Sequence, residues 1–272
     1  MTVHPERPSL TMPAELTRRA EAVAAGDAHS WQVPTAADAA TLILLREGPH
    51  GPEVFLQRRA GGMAFAPGVY VFPGGRVESS DAELPWVGSV GEPFAMPVGS
   101  GVSASFRSLT GAAVRETWEE AGVLLVDAPS AERPGDAGFG AWLVDSGRHI
   151  DGRRFAPWSH WITPEVERRR FDTRFLVTPL PAGEQAVDMG VESDHSSWFH
   201  PQEALDRWRR GDLAMLPPTT HALTELASFD TVSAILADAV GRRPRPLMPR
   251  PVLVSGAVEW RLIDAYTGEV IT

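Results

Sequence analysis

The amino-acid sequence predicts a mixed α/β fold, in which a strand-rich middle is flanked by helical segments. Apolar and β-branched runs bounded by Gly and Pro are concentrated in the middle of the chain. Helical patterns with N-terminal start signals surround these runs, and no internal repeat is visible. With 272 residues, the chain can bury a sizeable core as one large domain with extensions.

The strands are predicted from their short continuous apolar runs. Residues 40–45 and 54–57 lie on either side of a turn rich in Gly and Pro, which predicts a hairpin. Residues 69–72 predict a third strand that leads directly into Gly74-Gly75. Further strands are predicted at 123–126, 171–177, 192–199, 252–254 and 258–262.

The helices are predicted around these strands. Pro201 begins one of them, because proline suits the first turn of a helix. The stretch 82–103 has no periodicity and is predicted to be a loop. The other helices are predicted at 14–25, 106–121, 140–147, 220–226 and 231–240.

The helix at 106–121 carries the most informative pattern in the chain. At 100° per residue, Glu116, Glu119 and Glu120 lie within an arc of about 100°, and the opposite side is mostly apolar. Like charges at this spacing destabilise a helix by a few tenths of a kcal/mol per pair, which the pair Arg115–Glu119 offsets in part. Carboxylate oxygens suit Mg²⁺ or Mn²⁺. By itself, however, an acidic helical face is usually only solvated surface.

Together with the upstream glycines, this helix resembles the Nudix box, the signature of the Nudix hydrolases. That pattern is Gly, five residues, Glu, seven residues, Arg-Glu, an aliphatic residue, any residue, Glu-Glu, any residue, Gly and an aliphatic residue. The matching positions are Gly75, Asp81, Arg115, Glu116, Glu119, Glu120, Gly122 and Val123.

The sequence departs from the pattern in three places. Asp81 stands where Glu is usual, and Thr117 stands where an aliphatic residue is usual; the first keeps the charge and the second is β-branched. An insertion at 82–107 interrupts the box, a habit of the branch that resembles the peroxisomal coenzyme A diphosphatases. The coenzyme A signature of that branch expects Arg where Ala64 stands, which puts coenzyme A specificity in doubt.

The resemblance covers roughly residues 38–230 and implies a fold and a domain organisation. The fold is the Nudix fold, an α/β/α sandwich with a mixed sheet, plus N- and C-terminal extensions. The expected parts are an N-terminal extension at 1–36, the Nudix domain at 37–240 and a C-terminal extension at 241–272 packed on the same domain. The insertion at 82–107 is expected to border the metal site and to set specificity, with a packing extension as the alternative.

The resemblance also implies an activity: metal-dependent hydrolysis of a diphosphate linkage in a nucleoside-diphosphate-type substrate. Coenzyme A or acyl-coenzyme A is the leading expectation, and NADH or nucleotide sugars are the alternatives. A ligand-sensing Nudix module without turnover is the alternative of another class. The intact glutamates argue against it, because a module that only binds has no need of this charge cluster.

Roles for individual residues are implied in the same way. Glu116, Glu119, Glu120 and the carbonyl of Gly74 would hold Mg²⁺ or Mn²⁺. The expected catalytic residues are Arg115, Glu116 and Glu119, and the expected substrate-binding residues are Arg58, Arg59 and Gly75. The general base is left open among the glutamates and a later acid such as Glu192.

Composition narrows the remaining function classes. The chain has no Cys and no Lys, so thiol nucleophiles, Schiff-base lysines and P-loop lysines are excluded. A net charge of −10 argues against a nucleic-acid partner. No apolar run reaches membrane-span length and no secretory signal is visible, so we expect a cytoplasmic protein with a small-molecule diphosphate partner; a homodimer stays open.

Histidines and tryptophans are predicted to be mainly structural. The histidines lack the spacing of metal ligands, and tryptophans are more often core residues than substrate platforms. The residues concerned are His160, His195, His200, Trp118, Trp158, Trp161 and Trp198.

Overall fold

The computed structural model describes residues 14–27, 32–62, 66–88, 93–94, 104–128, 132–135, 138–190 and 193–271. The helices are α1 (Ala14–Ala24), α2 (Phe106–Ala121), α3 (Phe139–Ser146), α4 (Pro201–Arg209), α5 (Pro217–Leu226) and α6 (Val232–Val240). The strands are β1 (Ala37–Gly48), β2 (Gly51–Arg59), β3 (Val69–Val71), β4 (Gly74–Arg76), β5 (Trp86–Val87), β6 (Ile150–Asp151), β7 (Ala156–Ile162), β8 (Phe171–Pro179), β9 (Ser193–Phe199), β10 (Ala214–Met215), β11 (Pro246–Val254) and β12 (Ala257–Asp264).

A large mixed sheet forms the middle layer of the fold. Its strand order is β10-β3-β2-β1-β8-β7-β11-β12, and β4 and β9 pair with β1 and β2 respectively. Strand β1 is central: it pairs antiparallel with β2 and parallel with β8. Because successive residues of a strand point to opposite faces, Leu42 and Leu44 pack on one side of β1 while Ile43 and Leu45 pack on the other.

Helices cover both faces of this sheet. Helices α2 and α3 pack over the Leu42 side, and α4, α5 and α6 pack over the Ile43 side. This arrangement confirms the predicted α/β fold, with a large mixed sheet between helical layers. None of the helices in the described ranges is long and apolar enough to cross a bilayer.

Local signals fix both ends of α2. The Ser105 side chain accepts a hydrogen bond from the backbone N–H of Ser108 at 3.1 Å and so caps the N-terminus. At the other end Gly122 adopts a left-handed conformation with φ 66°, which favours glycine. In between, a Cβ at Gly111 would overlap the backbone oxygen of Asp81, so glycine lets the turn at Ser79–Ala82 approach the helix closely.

One predicted strand is absent, and one central strand was not predicted. Residues 123–126 are buried but do not form a strand, because the backbone N–H of Leu124 donates to the side chain of Glu184 at 3.0 Å instead of to a neighbouring strand. Conversely, β7 was not predicted, although every one of its residues is buried. Its two tryptophans, Trp158 and Trp161, are core residues, as predicted.

Both terminal extensions contact the central structure. Helix α1 contributes Ala20 and Val23 to a small core with Val166, which the side chain of Trp260 on β12 partly covers. The hairpin β11–β12 extends the sheet, since β11 pairs with β7. The domain boundaries after residues 36 and 240 stay predictions.

The described part of the insertion is built into the core. Leu84 and Phe94 are buried, and the Phe94 ring lies 6.0 Å from that of His160 and 6.5 Å from that of Phe106. The insertion ends where α2 begins, about 20 Å along the helix axis from Glu119 at 1.5 Å per residue. One of its anchors is therefore remote from the acidic end of α2, which supports the packing alternative for these residues. Met96 and the rest of 95–103 lie outside the described residues.

Candidate active site

The acidic end of α2 lies against the glycine turn that begins β4. The Glu120 carboxylate is 7% exposed, and its Oε2 accepts hydrogen bonds from the backbone N–H of Gly74 at 3.0 Å and from Nε2 of Gln57 at 2.6 Å. Gln57 is itself buried, on the face of β2 that carries Phe55. Glu120 is thus directed into the sheet, whereas the acidic face of a helix is usually solvated.

Gly75 makes room for a second carboxylate. A Cβ at this position would overlap the carboxylate of Glu116, so a side chain at Gly75 would displace that group. Glu120 binds the N–H of Gly74, and Glu116 lies beside Gly75. Because these two glycines are consecutive, both carboxylates lie at the same turn. Sequence alone joined these residues only through a resemblance; the sheet pairing of β4 with β1 provides the geometry.

Arg115 connects the remaining acids of the box. It donates through Nε to Asp81 at 2.9 Å, and its NH1 reaches Glu116 at 3.0 Å and Glu119 at 3.1 Å. Its NH2 binds Asp81 again, at 3.2 Å, and the backbone oxygen of Arg76 at 3.1 Å. The predicted pair Arg115–Glu119 is therefore present, and Asp81 serves in this structure as the buried anchor of the guanidinium.

The electrostatics keep Arg115 charged. Burial by itself lowers the pKa of the guanidinium, but the hydrogen bond that Arg115 donates to Asp81 and the charges of Glu116, Asp81 and Glu119 outweigh it, and the net pKa is raised. Asp81 is 1% exposed and Arg115 12% exposed, so the pair is shielded from solvent, whereas the Glu119 side chain is 48% exposed. Glu119 is the acid that substrate or solvent reaches most easily.

The structure places one of the two arginines expected to bind substrate. Arg58 follows Gln57 on β2 and lies on the opposite face, and the pairing of β2 with β9 shifts register between Arg58 and Arg59. Arg58 forms an ion pair with Asp194 at 2.6 Å, which raises the pKa of the Arg58 guanidinium. Arg58 is therefore engaged on the face away from the carboxylates.

Sequence reasoning missed Gln57 as a site residue. A signal was present: Gln57 is polar at a position where Val54, Phe55 and Leu56 predict a buried strand. Its Oε1 is buried without a hydrogen-bond partner among the described residues, so the amide is available to a further donor. Two other positions considered above, Ala64 and Glu192, lie outside the described residues.

A second polar cluster lies further along the same face of the sheet. His160 is fully buried and its Nε2 contacts Asp172 Oδ1 at 2.5 Å, while the buried Arg174 binds Asp172 and Asp38 at 3.1 and 2.6 Å. Tyr266 closes the cluster, and burial raises its pKa to about 12. His160 is therefore structural, as predicted.

The glutamates suit a divalent cation in donor chemistry. Oxygen ligands are those that Mg²⁺ and Mn²⁺ prefer, and Glu116 and Glu120 supply carboxylates at one turn. In the described ranges, however, no three His, Asp or Glu side chains are arranged as a ready ligand set. Mg²⁺ usually keeps several waters and binds through one or two carboxylates plus substrate phosphates, and a two-carboxylate site fits that behaviour.

Known proteins resemble this chain in sequence and fold, although no family model matches it. A protein of Caenorhabditis elegans named nudix hydrolase 7 is 28% identical over 214 aligned residues, and the match covers 75% of this chain and 64% of that protein. The acyl-coenzyme A diphosphatases NUDT19 of Xenopus laevis and Homo sapiens are each 27% identical, over 70% and 77% of this chain and 63% and 66% of their own lengths. The chain thus spans just under two thirds of these relatives.

A solved structure gives the same result over nearly its whole length. The Nudix hydrolase of Alicyclobacillus acidocaldarius superimposes with a TM-score of 0.62 and 28% identity, covering 76% of this chain and 97% of that one. Three observations agree: the α/β/α fold, the glycine turn that faces the acidic end of a helix, and the relatives named nudix hydrolase. By sequence and by fold, the chain is similar to proteins named Nudix hydrolases.

Proposed function

We propose that the chain is a diphosphatase that uses Mg²⁺ or Mn²⁺ to hydrolyse a phosphoanhydride bond. The observation that carries the proposal is the meeting of Glu116 and Glu120 at Gly74-Gly75, with Arg115 holding Glu116 and Glu119 beside them. Phosphoryl transfer needs neutralisation of phosphate charge and a positioned water, and little covalent chemistry from the protein. Because the carboxylates at this turn are themselves negative, they can neutralise phosphate charge only through a bound cation.

The two carboxylates at the turn would hold the ion, and Glu119 would complete the shell from its exposed side. When bound, the cation neutralises charge on the diphosphate oxygens and lowers the pKa of water. Gln57 and the N–H of Gly74 hold Glu120 in place, and Arg115 orients Glu116. Arg59, at the end of β2, is proposed to contact a phosphate.

The reaction balances with water as the only co-substrate. Its oxygen forms a bond to one phosphorus while the bond from that phosphorus to the bridging oxygen breaks, and the bridging oxygen leaves with the second phosphate. A carboxylate accepts the proton of the water. Glu116, Glu119 and an acid outside the described residues, such as Glu192, stay open for that role.

We propose coenzyme A or acyl-coenzyme A as the substrate. Support comes from the relatives named acyl-coenzyme A diphosphatase and from the interrupted box, whereas Ala64 departs from the coenzyme A signature. NADH and nucleotide sugars are the alternatives within the enzyme class. A sensing module without turnover is the alternative outside it.

A substrate panel tests the proposal. The purified chain is incubated with coenzyme A, an acyl-coenzyme A, NADH and a nucleotide sugar, with Mg²⁺, with Mn²⁺ or with chelator, and phosphate is measured after a coupled phosphatase. We expect metal-dependent turnover that is fastest with the coenzyme A compounds. Turnover of NADH alone would change the substrate, and binding without any turnover would favour the sensing module.

A melting curve provides a second, independent readout of the metal. An ion bound only by the folded protein stabilises it by RT ln(1 + [L]/Kd), so millimolar Mg²⁺ or Mn²⁺ should raise Tm. The matched variant Glu203→Gln, changed on the exposed surface of α4, should keep the shift, whereas Glu120→Gln should lose it. An unchanged Tm in the unmodified chain would indicate a merely solvated acidic face.

A further inference from the structure

A cleft of about 540 Å³ lies beside the acidic turn. One wall is the segment 186–188 and the other is β9, and β1 and β2 form the floor. The side chains that matter for its chemistry are those of Arg46, Phe55, Val187, Asp188, Ser196 and Trp198. None of them belongs to the Nudix pattern or to the site residues expected from the sequence.

The cleft neighbours the proposed catalytic site, although none of the glutamates lines it. Ser196 is the cross-strand neighbour of Gln57, the residue that binds Glu120. Phe55 precedes Gln57 by two residues on the same face of β2, which is about 7 Å at 3.4 Å per residue. A group joined to a phosphate at the acidic turn can therefore reach the cleft without crossing the fold.

Hydrogen bonds hold the wall at 186–188 in place. The backbone N–H of Val187 donates to the oxygen of Ala121 at 3.0 Å, and that of Met189 donates to the oxygen of Glu120 at 3.3 Å. Six residues before this wall, the backbone N–H of Leu180 donates to the backbone oxygen of Leu45 at 2.7 Å. The wall is tied to the end of α2 and to β1, so the cleft is largely preformed, as small-molecule sites usually are.

The lining is aromatic and apolar on one side. The edge of Phe55 meets the Trp198 ring at a centroid distance of 5.5 Å, and the guanidinium of Arg46 lies 4.3 Å from the centre of the same indole. Across the cleft, Val187 is 48% exposed although it is a large hydrophobic residue. Exposed apolar groups beside an active site are typical of a binding surface.

The charges in the cleft disfavour a phosphate. Arg46 is already paired with Glu53 at 2.6 Å, and Asp194 at the rim is paired with Arg58 at 2.6 Å. Asp188 adds a carboxylate that accepts hydrogen bonds from the uncharged N–H of Gly190 and hydroxyl of Ser193. The lining therefore carries no excess positive charge, and a phosphate monoester placed there would face Asp188.

We propose that this cleft binds the uncharged organic arm attached to one phosphate of the substrate. The inference rests on the proposed function and adds the orientation in which the substrate binds. In a coenzyme A compound the uncharged, amide-bearing arm is the pantetheine. The doubly phosphorylated adenosine end then extends away from Asp188, on the other side of the acidic turn.

The two halves of coenzyme A serve as probes. Calorimetric binding of 4′-phosphopantetheine and of adenosine 3′,5′-bisphosphate is measured for the unmodified chain, Val187→Trp and Trp198→Leu. Val187→Trp narrows the cleft from an exposed position, so we expect about tenfold weaker binding of 4′-phosphopantetheine, equivalent to about 1.4 kcal/mol. Trp198→Leu should weaken it about fivefold through loss of the aromatic wall. Binding of adenosine 3′,5′-bisphosphate should change less than about twofold in both.

The matched control is Val240→Trp, which adds the same side chain at an exposed position on α6, on the other side of the sheet. It should leave both affinities unchanged, and melting curves check that all variants fold. Equal weakening of the two probes, loss of the adenosine compound alone, or unchanged binding of 4′-phosphopantetheine would each overturn the inference. If the unmodified chain turns over no diphosphate, the proposed function fails, and the binding comparison still decides on the cleft.

Discussion

Nε2 of Gln57 donates a hydrogen bond of 2.6 Å to Oε2 of Glu120, and both side chains are buried. A strand residue outside the Nudix pattern therefore orients one of its glutamates. The same carboxylate oxygen accepts the N–H of Gly74, so three elements, β2, β4 and α2, meet at one atom. Residues that orient a metal ligand typically change affinity or activity by 10–100-fold when they are removed.

Replacing Gln57 should act through Glu120. We expect Gln57→Leu to weaken the apparent Mg²⁺ affinity about 10–100-fold. In Gln57→Glu, a second carboxylate beside Glu120 raises the pKa of the pair, so activity should recover as pH rises. Mg²⁺ titrations of kcat at several pH values measure both effects. Gln202→Leu, which removes an exposed glutamine bonded to Asp206, is the control; an equal loss there would argue against a positioning role.

The two adjacent glutamates should differ in importance. Glu120 is buried with two donors on one oxygen, whereas the Glu119 side chain is 48% exposed and bound by Arg115. We expect Glu120→Gln to lower kcat by roughly three orders of magnitude, a loss of about 4 kcal/mol of transition-state stabilisation, and Glu119→Gln to lower it less. Turnover is measured at saturating metal. Turnover close to that of the unmodified chain in both variants would remove the glutamates from the chemistry.

A methyl group at Gly75 should displace Glu116. Since a Cβ there would overlap the carboxylate, Gly75→Ala should lower kcat by at least about tenfold while the fold persists. Gly62→Ala is the matched control, because a Cβ at Gly62 meets no atom within 4 Å. Steady-state kinetics and melting curves of the two variants give the comparison. If both variants behave alike, the contact with Glu116 has no catalytic consequence.

Asp81 should matter more for stability than a surface acid. Asp81→Ala leaves the shielded guanidinium of Arg115 without its anchor, and breaking such a pair costs about 3 kcal/mol. The control Asp206→Ala breaks an exposed pair with Arg209, for which about 0–1 kcal/mol is expected. Urea unfolding curves provide both values. A loss below about 1 kcal/mol for Asp81→Ala would mean that solvent replaces the carboxylate without penalty.

His160 should make stability depend on pH. Burial lowers its pKa despite the contact with Asp172, and the charges of Arg174 and Asp38 and the Tyr266 ring complete its surroundings. Because the folded state holds the histidine neutral, the unfolded chain binds the proton more readily, and stability falls as pH drops below about 6.5.

The comparison is with His160→Gln, which cannot titrate. Its Tm should decrease less between about pH 7.5 and pH 5.5 than that of the unmodified chain, whatever its absolute stability. His50→Gln, at an exposed turn between β1 and β2, should keep the original slope. Parallel slopes in all three proteins would show that His160 stays out of the titration.

The sequence by itself determined the family pattern and most of the elements. Apolar runs located β1, β2, β8 and β9. The resemblance to the Nudix box identified Glu116, Glu119 and Glu120, because this part of the motif is a short run of consecutive positions. Local signals failed at 123–126, where a buried run bonds to Glu184 and forms no strand.

Only the tertiary structure decided which groups share the acidic turn. The packing of α2 over the sheet brought Gln57 to Glu120 across 63 positions of sequence, and Arg58 is paired with Asp194 of β9. The tertiary structure also placed Trp198 in the wall of a cleft, although the sequence analysis predicted a core residue. These results depend on register and on the packing of α2 over the sheet. They involve contacts between residues far apart in the chain, and no local periodicity records such contacts.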